Sequence, residues 1–246
     1  MRFLILSDIH ANWEALEAVL AHAEGLYERI LCAGDLVDYG ADPDAVVDWA
    51  RRAEPVLVRG NHDKVCAGLE DMEWFSPAAQ ASAVWTQESL SAANLEYLRN
   101  LPKGPLAVNG FEILHGSPLD EDEYLLGISD VRLIRPYLDC PLSFFGHTHV
   151  QGGFLALRGE VEAIPRVSAD SDERVFEIPE GCLCLANPGS VGQPRDGDPR
   201  GAYLIYSEEE GLLRYRRVCY DIEAAQRKIR GAGLPRSLAD RLAEGK

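Results

Sequence analysis

Short unbroken apolar runs, each ending in a polar cluster, recur along the first part of the chain. Phe3-Leu4-Ile5-Leu6 reaches Ser7-Asp8-Ile9-His10, Arg29-Ile30-Leu31-Cys32-Ala33 reaches Gly34-Asp35, and Pro55 to Val58 reaches Gly60-Asn61-His62-Asp63. Runs of this length without alternation suit strands covered on both faces. Between them the spacing turns helical. Asn12 can cap a helix carrying Trp13, Leu16, Val19, Leu20 and Ala23 at helical spacing, and Asp42 can cap a second with Pro43 in its first turn. Strands alternating with helices predict α/β architecture, with polar residues gathered past the strand ends, where open sheets place their sites.

From Lys64 to Asn100 the pattern is mostly helical, with Ser76 and Ser91 as helix starts and Ala81, Val84, Trp85, Leu95 and Leu98 as core-facing positions. We read this as a helical insertion, at about 64–100, in a single domain of residues 1–246, placed to form a wall or lid over whatever follows Gly60. Asn109-Gly110, between Leu106-Ala107-Val108 and Phe111-Glu112-Ile113-Leu114, predicts a hairpin that ends at His115-Gly116, because both turn positions tolerate positive φ. Leu142 to Phe145 runs into Gly146-His147-Thr148-His149, and further strands are expected near 154–157, 182–186, 202–206 and 213–218. From Asp221 onward the pattern predicts surface helices.

Charge narrows the partners. A net charge of −16 works against binding bulk nucleic acid or anionic membranes, which depends on Lys and Arg neutralising phosphates. An anionic substrate must then be attracted locally, and bound divalent cations would do that. The six cysteines form no CxxC pair and read as reduced thiols. The apolar stretch from Met1 to Leu6 is too short for a signal h-region or a membrane span, so a cytoplasmic location and no membrane partner are expected.

Five of the six histidines lie in the polar clusters, each beside a Gly, Asp or Asn. Imidazole, carboxylate and amide oxygen together suit borderline divalent ions such as manganese, iron, zinc, nickel or cobalt. Taken singly, Asp8, His10, Asp35 and Asn61 could be turn residues making local hydrogen bonds. The set is what carries weight. Asp8-x-His10, Gly34-Asp35-x-x-Asp38-x-Gly40, Gly60-Asn61-His62-Asp63, His115-Gly116 and Gly146-His147-x-His149 stand in the order of the calcineurin-like metallophosphoesterases, which this chain resembles from Met1 to about Val150. Asn187-Pro188-Gly189-Ser190-Val191 resembles a segment of the smaller prokaryotic members.

The resemblance implies a four-layer α/β sandwich of two mixed sheets and a site for two divalent ions. One ion would be held by Asp8, His10, Asp35 and His149, the other by Asp35, Asn61, His115 and His147, with Asp35 bridging. Two such ions can share a hydroxide for in-line attack on phosphorus. His62 would then protonate the leaving oxygen or stabilise developing charge, oriented by Asp38. A small phosphoester or nucleotide is the expected substrate. Tyr39 stands where Ser/Thr protein phosphatases carry a phosphate-binding Arg, which favours a phosphodiester over a phosphoprotein unless Arg59 or Arg195 compensates. A dinucleoside polyphosphate hydrolase is the nearest competing enzyme. A binding scaffold of the same fold is the non-enzymatic alternative, disfavoured because every ligand position is filled.

Other residues keep two readings. Trp74-Phe75 and Trp85 are either core or a surface for stacking an aromatic substrate. Asp120-Glu121-Asp122-Glu123 is expected to be solvated, and Asn187 to Ser190 to form a turn, with Arg195 able to line a phosphate site. His22 is expected on a helix surface.

Overall fold

The computed structural model describes residues 1–246 and contains two six-stranded mixed sheets. The first is built around β1 (Arg2–Leu6), which pairs in parallel with β2 (Arg29–Cys32), itself parallel to β3 (Val56–Leu57). On its other side β1 meets β11 (Gly201–Ser207) in antiparallel fashion, followed by β12 (Leu212–Val218) and β9 (Glu173–Glu177). The second sheet runs β4 (Leu106–Val108), β5 (Phe111–Ile113), β6 (Leu142–Phe144), β10 (Leu183–Asn187), β7 (Gly152–Leu157) and β8 (Glu160–Ile164). Within it β5, β6 and β10 are parallel.

The pleat explains the layers. Alternate residues of a strand point to opposite faces, so Phe3 and Ile5 enter a core shared with Phe111, Ile113, Phe144 and Cys184 of the second sheet. Leu4 and Leu6 enter a different core with helices α1 (Trp13–His22) and α2 (Pro43–Ala53). The outer face of the second sheet is covered by α6 (Ile128–Ile134), through Val131 and Ile134 against Phe145, Phe154 and Leu185. The expected four-layer α/β sandwich is therefore present, its fourth layer a single short helix.

Between β3 and β4 lie three helices, α3 (Asn61–Cys66), α4 (Pro77–Ser89) and α5 (Ala92–Arg99). Ser76 and Ser91 cap α4 and α5 as expected, accepting from Ala79 N and Asn94 N. The buried face of α4 differs from the expected one. Val84 is 43% exposed, while Ala79, Ser82, Ala83 and Thr86 are buried. Ser82 accepts a hydrogen bond from the Tyr39 amide at 2.9 Å, so a polar contact with the loop after β2 sets the helix orientation in place of its bulkiest side chains. Asp42 precedes α2 without a side-chain capping bond, because its carboxylate is taken by Lys228 Nζ at 2.9 and 3.0 Å. That lysine belongs to α7 (Ile222–Gly231), which with α8 (Arg236–Asp240) packs against the Tyr39 loop and α4.

Asn109 and Gly110 both have positive φ, as the hairpin requires. Strands β8 and β9 and helix α6 had no clear sequence signal. β9 lies at a sheet edge with Val175 47% exposed, so its apolar pattern is weak.

Candidate active site

Five of the six parallel strands deliver their site residues to one place. Asp8 and His10 follow β1, Asp35 and Asp38 follow β2, Asn61 and His62 follow β3, His115 follows β5, and His147 and His149 follow β6. Asp8, His10, Asp35, Asp38, His147 and His149 all hold positive φ, between 49° and 74°. Left-handed backbone is costly for side chains of this size and concentrates where surrounding structure imposes it.

The loops are bolted together by hydrogen bonds. Asp63 accepts from the amides of Asp35, Leu36 and Gly60 at 2.9, 2.8 and 3.0 Å, joining the β2 and β3 loops. Asn187 donates to Gly146 O and Thr148 Oγ1, both at 3.0 Å, and Ser190 donates to Asp8 O at 2.7 Å. The Asn187 to Ser190 turn is thus a brace behind the β1 and β6 loops. At Gly60 a Cβ would fall on the Asp35 carboxylate, so only glycine fits.

All seven residues expected as metal ligands converge. Ligand-type atoms of Asp8, His10, Asp35 and His149 lie within 4.8 Å of one another, as do those of Asp35, His115 and His147. Asp35 Oδ2 is common to both groups, 3.6 Å from His10 Nε2 and 3.3 Å from His115 Nε2. Asn61 Oδ1 is 3.1 Å from the same His115 nitrogen.

The hydrogen bonds fix which ring nitrogens are free. His10, His115 and His149 donate from Nδ1 to the carbonyls of Val37, Ala33 and Gln193 at 3.0, 2.7 and 2.6 Å, leaving each Nε2 turned inward. His147 is the reverse, donating from Nε2 to Asp122 O at 3.1 Å and leaving Nδ1 free. Burial pushes His10 and His149 well below their ordinary values and His147 down to about 3, which keeps these rings neutral. Burial also pulls His115 down, but the Asp35 carboxylate outweighs it and raises that ring to about 10. Burial raises Asp8 to about 6, while Asp35, despite its burial, is held well below the usual range by His115, His62 and His10. Asp8 Oδ2 and Asp35 Oδ2 are buried with no hydrogen-bond partner. Unpartnered carboxylate oxygens beside inward-turned imidazole nitrogens fit divalent cations, and the N and O donor set without thiolate fits the borderline ions expected. The six cysteines are all free.

Beside this cluster His62 donates from Nδ1 to Asp38 Oδ2 at 2.6 Å, and its Nε2 meets the Tyr39 hydroxyl at 3.1 Å. Burial works against the imidazolium, yet Asp35 and Asp38 outweigh it and raise His62 above its ordinary value. A cleft of about 390 Å³ opens over these residues, walled by Phe75, Trp74, Tyr124, Arg195 and Arg241. Trp74 is 93% exposed, whereas Phe75 packs on His62 with ring centres 4.4 Å apart. Trp85 is partly buried against the C-terminal helices, as a core residue. His22 is exposed on α1 and pairs with the Tyr203 hydroxyl at 2.9 Å.

Residues 1–211 match the calcineurin-like phosphoesterase superfamily domain. The chain belongs to this superfamily. An uncharacterised protein of Methanocaldococcus jannaschii is 34% identical, the match covering 98% of this chain and 97% of that one. The crystal structure of a metallophosphoesterase from Sphaerobacter thermophilus superposes with a TM-score of 0.86 at 38% identity, over 100% of this chain and 99% of the other. A hypothetical protein from Pyrococcus horikoshii shares the fold at a TM-score of 0.80 and 20% identity, over 100% and 98% of the two chains. No helix of this superfamily member is long and apolar enough to cross a membrane.

Two expectations change. The acidic run is not wholly solvated: Glu121 is buried, gripped by Arg59 at 3.0 and 2.8 Å, and Asp122 binds Lys64 Nζ at 2.7 Å. Pairing neutralises acids that would repel an anionic substrate, and it commits Arg59, which is therefore no substitute for the phosphatase Arg. Asp63, Tyr124 and Arg241 were not singled out from the sequence. Only Asp63 carried a signal, as an acid at the third position of a helix that starts after Gly60, where it reaches orphan amides.

Proposed function

We propose that the protein is a binuclear metal-dependent hydrolase of small phosphoesters, phosphodiesters among them. The observation that carries this reading is Asp35 Oδ2, a buried oxygen with no hydrogen-bond partner that is shared by two clusters of ligand-type atoms. Asp8, His10, Asp35 and His149 would hold one divalent ion, and Asp35, Asn61, His115 and His147 the second. Such ions, when bound, neutralise phosphoryl oxygens and acidify water to a nucleophile near neutral pH.

The chain's own groups supply the rest. His62, raised by Asp35 and Asp38, carries the proton that a departing alkoxide needs, and Asp38 fixes its tautomer by accepting from Nδ1. Its Nε2 faces the Tyr39 hydroxyl, which a leaving-group oxygen displaces or uses as a relay. Phe75, Trp74 and Tyr124 offer apolar and aromatic surface to the ester substituent, as a nucleobase or aryl group would use. A scaffold role gains no support, since no ligand position is lost.

The experiment is hydrolysis of bis-p-nitrophenyl phosphate and p-nitrophenyl phosphate by chelator-stripped protein, restored with manganese, zinc, nickel or magnesium, beside Asp35→Asn. Metal-dependent cleavage that the variant loses by roughly a thousandfold supports the reading. An absence of cleavage with every metal and both esters removes it.

A further inference from the structure

In a chain with 40 acidic and 24 basic residues, cations that are partly buried mostly find a carboxylate. Arg59 pairs with Glu121, Arg200 with Asp198, Arg216 with Glu173 and Arg217 with Asp196. Arg195 is the exception, since no Asp or Glu oxygen lies within 4 Å of it, although it is half-buried and walls the cleft over the cluster of ligand-type residues. Arg241 walls the same cleft, likewise without an Asp or Glu partner, its Nε donating outward to Lys246 O at 2.6 Å. The Arg195 amide donates to His149 O at 3.2 Å, which ties the residue to the β6 loop. One terminal nitrogen donates to Gln193 Oε1 at 2.9 Å, and its Nε is buried without a partner. The guanidinium lies over the Tyr39 ring, 5.7 Å from its centre. Burial and the neighbouring Arg195 charge both depress Arg241. Two like charges side by side and half-buried, one of them without any carboxylate partner, are unfavourable until an anion arrives.

The position of Arg195 bears on the Tyr39 argument. Tyr39 brings no charge, but it serves as the platform on which a guanidinium from another loop rests. A phosphomonoester dianion has three non-bridging oxygens and a diester only two. If two oxygens are taken by cations, the monoester has one left for a guanidinium fork, whereas the diester has an ester substituent there.

We infer that Arg195, with Arg241 beside it, binds the third phosphoryl oxygen and gives the site a phosphomonoesterase activity in addition to any action on diesters. The inference rests on the phosphoesterase reading above. Water oxygen forms the new bond to phosphorus, the bond from phosphorus to the alcohol oxygen breaks, and that oxygen takes the His62 proton, releasing alcohol and inorganic phosphate.

The test uses manganese-loaded wild type, Arg195→Gln and Arg195→Lys, with kcat/KM measured on p-nitrophenyl phosphate and bis-p-nitrophenyl phosphate. Inorganic phosphate binding is measured beside it by calorimetry, and thermal melts verify folding. The expected result is a wild type that cleaves both esters and a ratio of monoesterase to diesterase kcat/KM that falls about ten- to a hundredfold in Arg195→Gln. Phosphate affinity should fall with it, and Arg195→Lys, which keeps charge without the planar fork, should recover part of both. A wild type that cleaves only the diester, or equal loss on both esters, overturns the role of Arg195 and leaves the phosphoesterase reading standing. A wild type inert toward both esters with every metal overturns both.

Discussion

His10 and His149 face each other through their Nε2 atoms at 3.1 Å, although each has committed its Nδ1 proton to a backbone carbonyl. Two imidazole lone pairs at that distance repel unless a cation lies between them and the nearby carboxylates. Divalent metal should therefore raise thermal stability, by about 2.7 kcal/mol when the free ion stands at a hundred times its dissociation constant. Scanning calorimetry of chelator-treated and manganese-loaded protein measures this, and superimposable melts would contradict a preformed metal centre.

The His62–Asp38 pair predicts a pH effect of known sign. A general acid works while protonated, so activity falls as pH rises through its pKa. Asp35 and Asp38 hold His62 above its ordinary value. Asp38→Asn removes one of those charges, and the alkaline limb of the kcat profile should move to lower pH. An unmoved limb would mean that some other group supplies the proton.

Asp63 is fully buried outside the lining of the cleft, yet it holds two loops in register through the amides of Asp35, Leu36 and Gly60. Asp63→Ala leaves buried N–H groups without an acceptor, which should cost roughly 2–4 kcal/mol. Urea unfolding reads this directly. A variant as stable as wild type would show that the loops are held elsewhere.

Gly60→Ala tests the closeness of the β3 and β2 loops. Its methyl group would collide with Asp35 Oδ1 and so shift the carboxylate whose Oδ2 both clusters share. We expect a loss of about 1–3 kcal/mol in stability, as for other overpacked sites, together with weaker manganese binding by calorimetry. Wild-type metal affinity in this variant would argue that Asp35 does not bridge.

Much of this was legible because the site repeats one device. A buried parallel strand gives an unbroken apolar run, and the residues just beyond it must be polar and conformationally unusual, so Asp8, Asp35, Asn61, His115 and His147 announce themselves by position. The cleft walls carried no such signature. Tyr124 and Arg241 reach it from irregular segments whose placement depends on packing between distant elements, as with the stacking of Tyr124 on His147 at 3.9 Å. The buried face of α4 misled for a related reason: the Ser82 hydroxyl serves the Tyr39 amide, so a polar residue faces inward where apolar periodicity points elsewhere.

The pairing of β1 with β11 has a consequence for how the molecule is made. The strand that delivers Asp8 and His10 is flanked by a partner some 200 residues later, Arg2 lying opposite Ser207, and the Asp8 carbonyl accepts from Ser190. Contacts so distant along the chain form late and slow the search for the native state. A growing polypeptide therefore displays its first histidine and aspartate long before the clustered geometry of the site exists, and any choice of ion would fall to the completed fold.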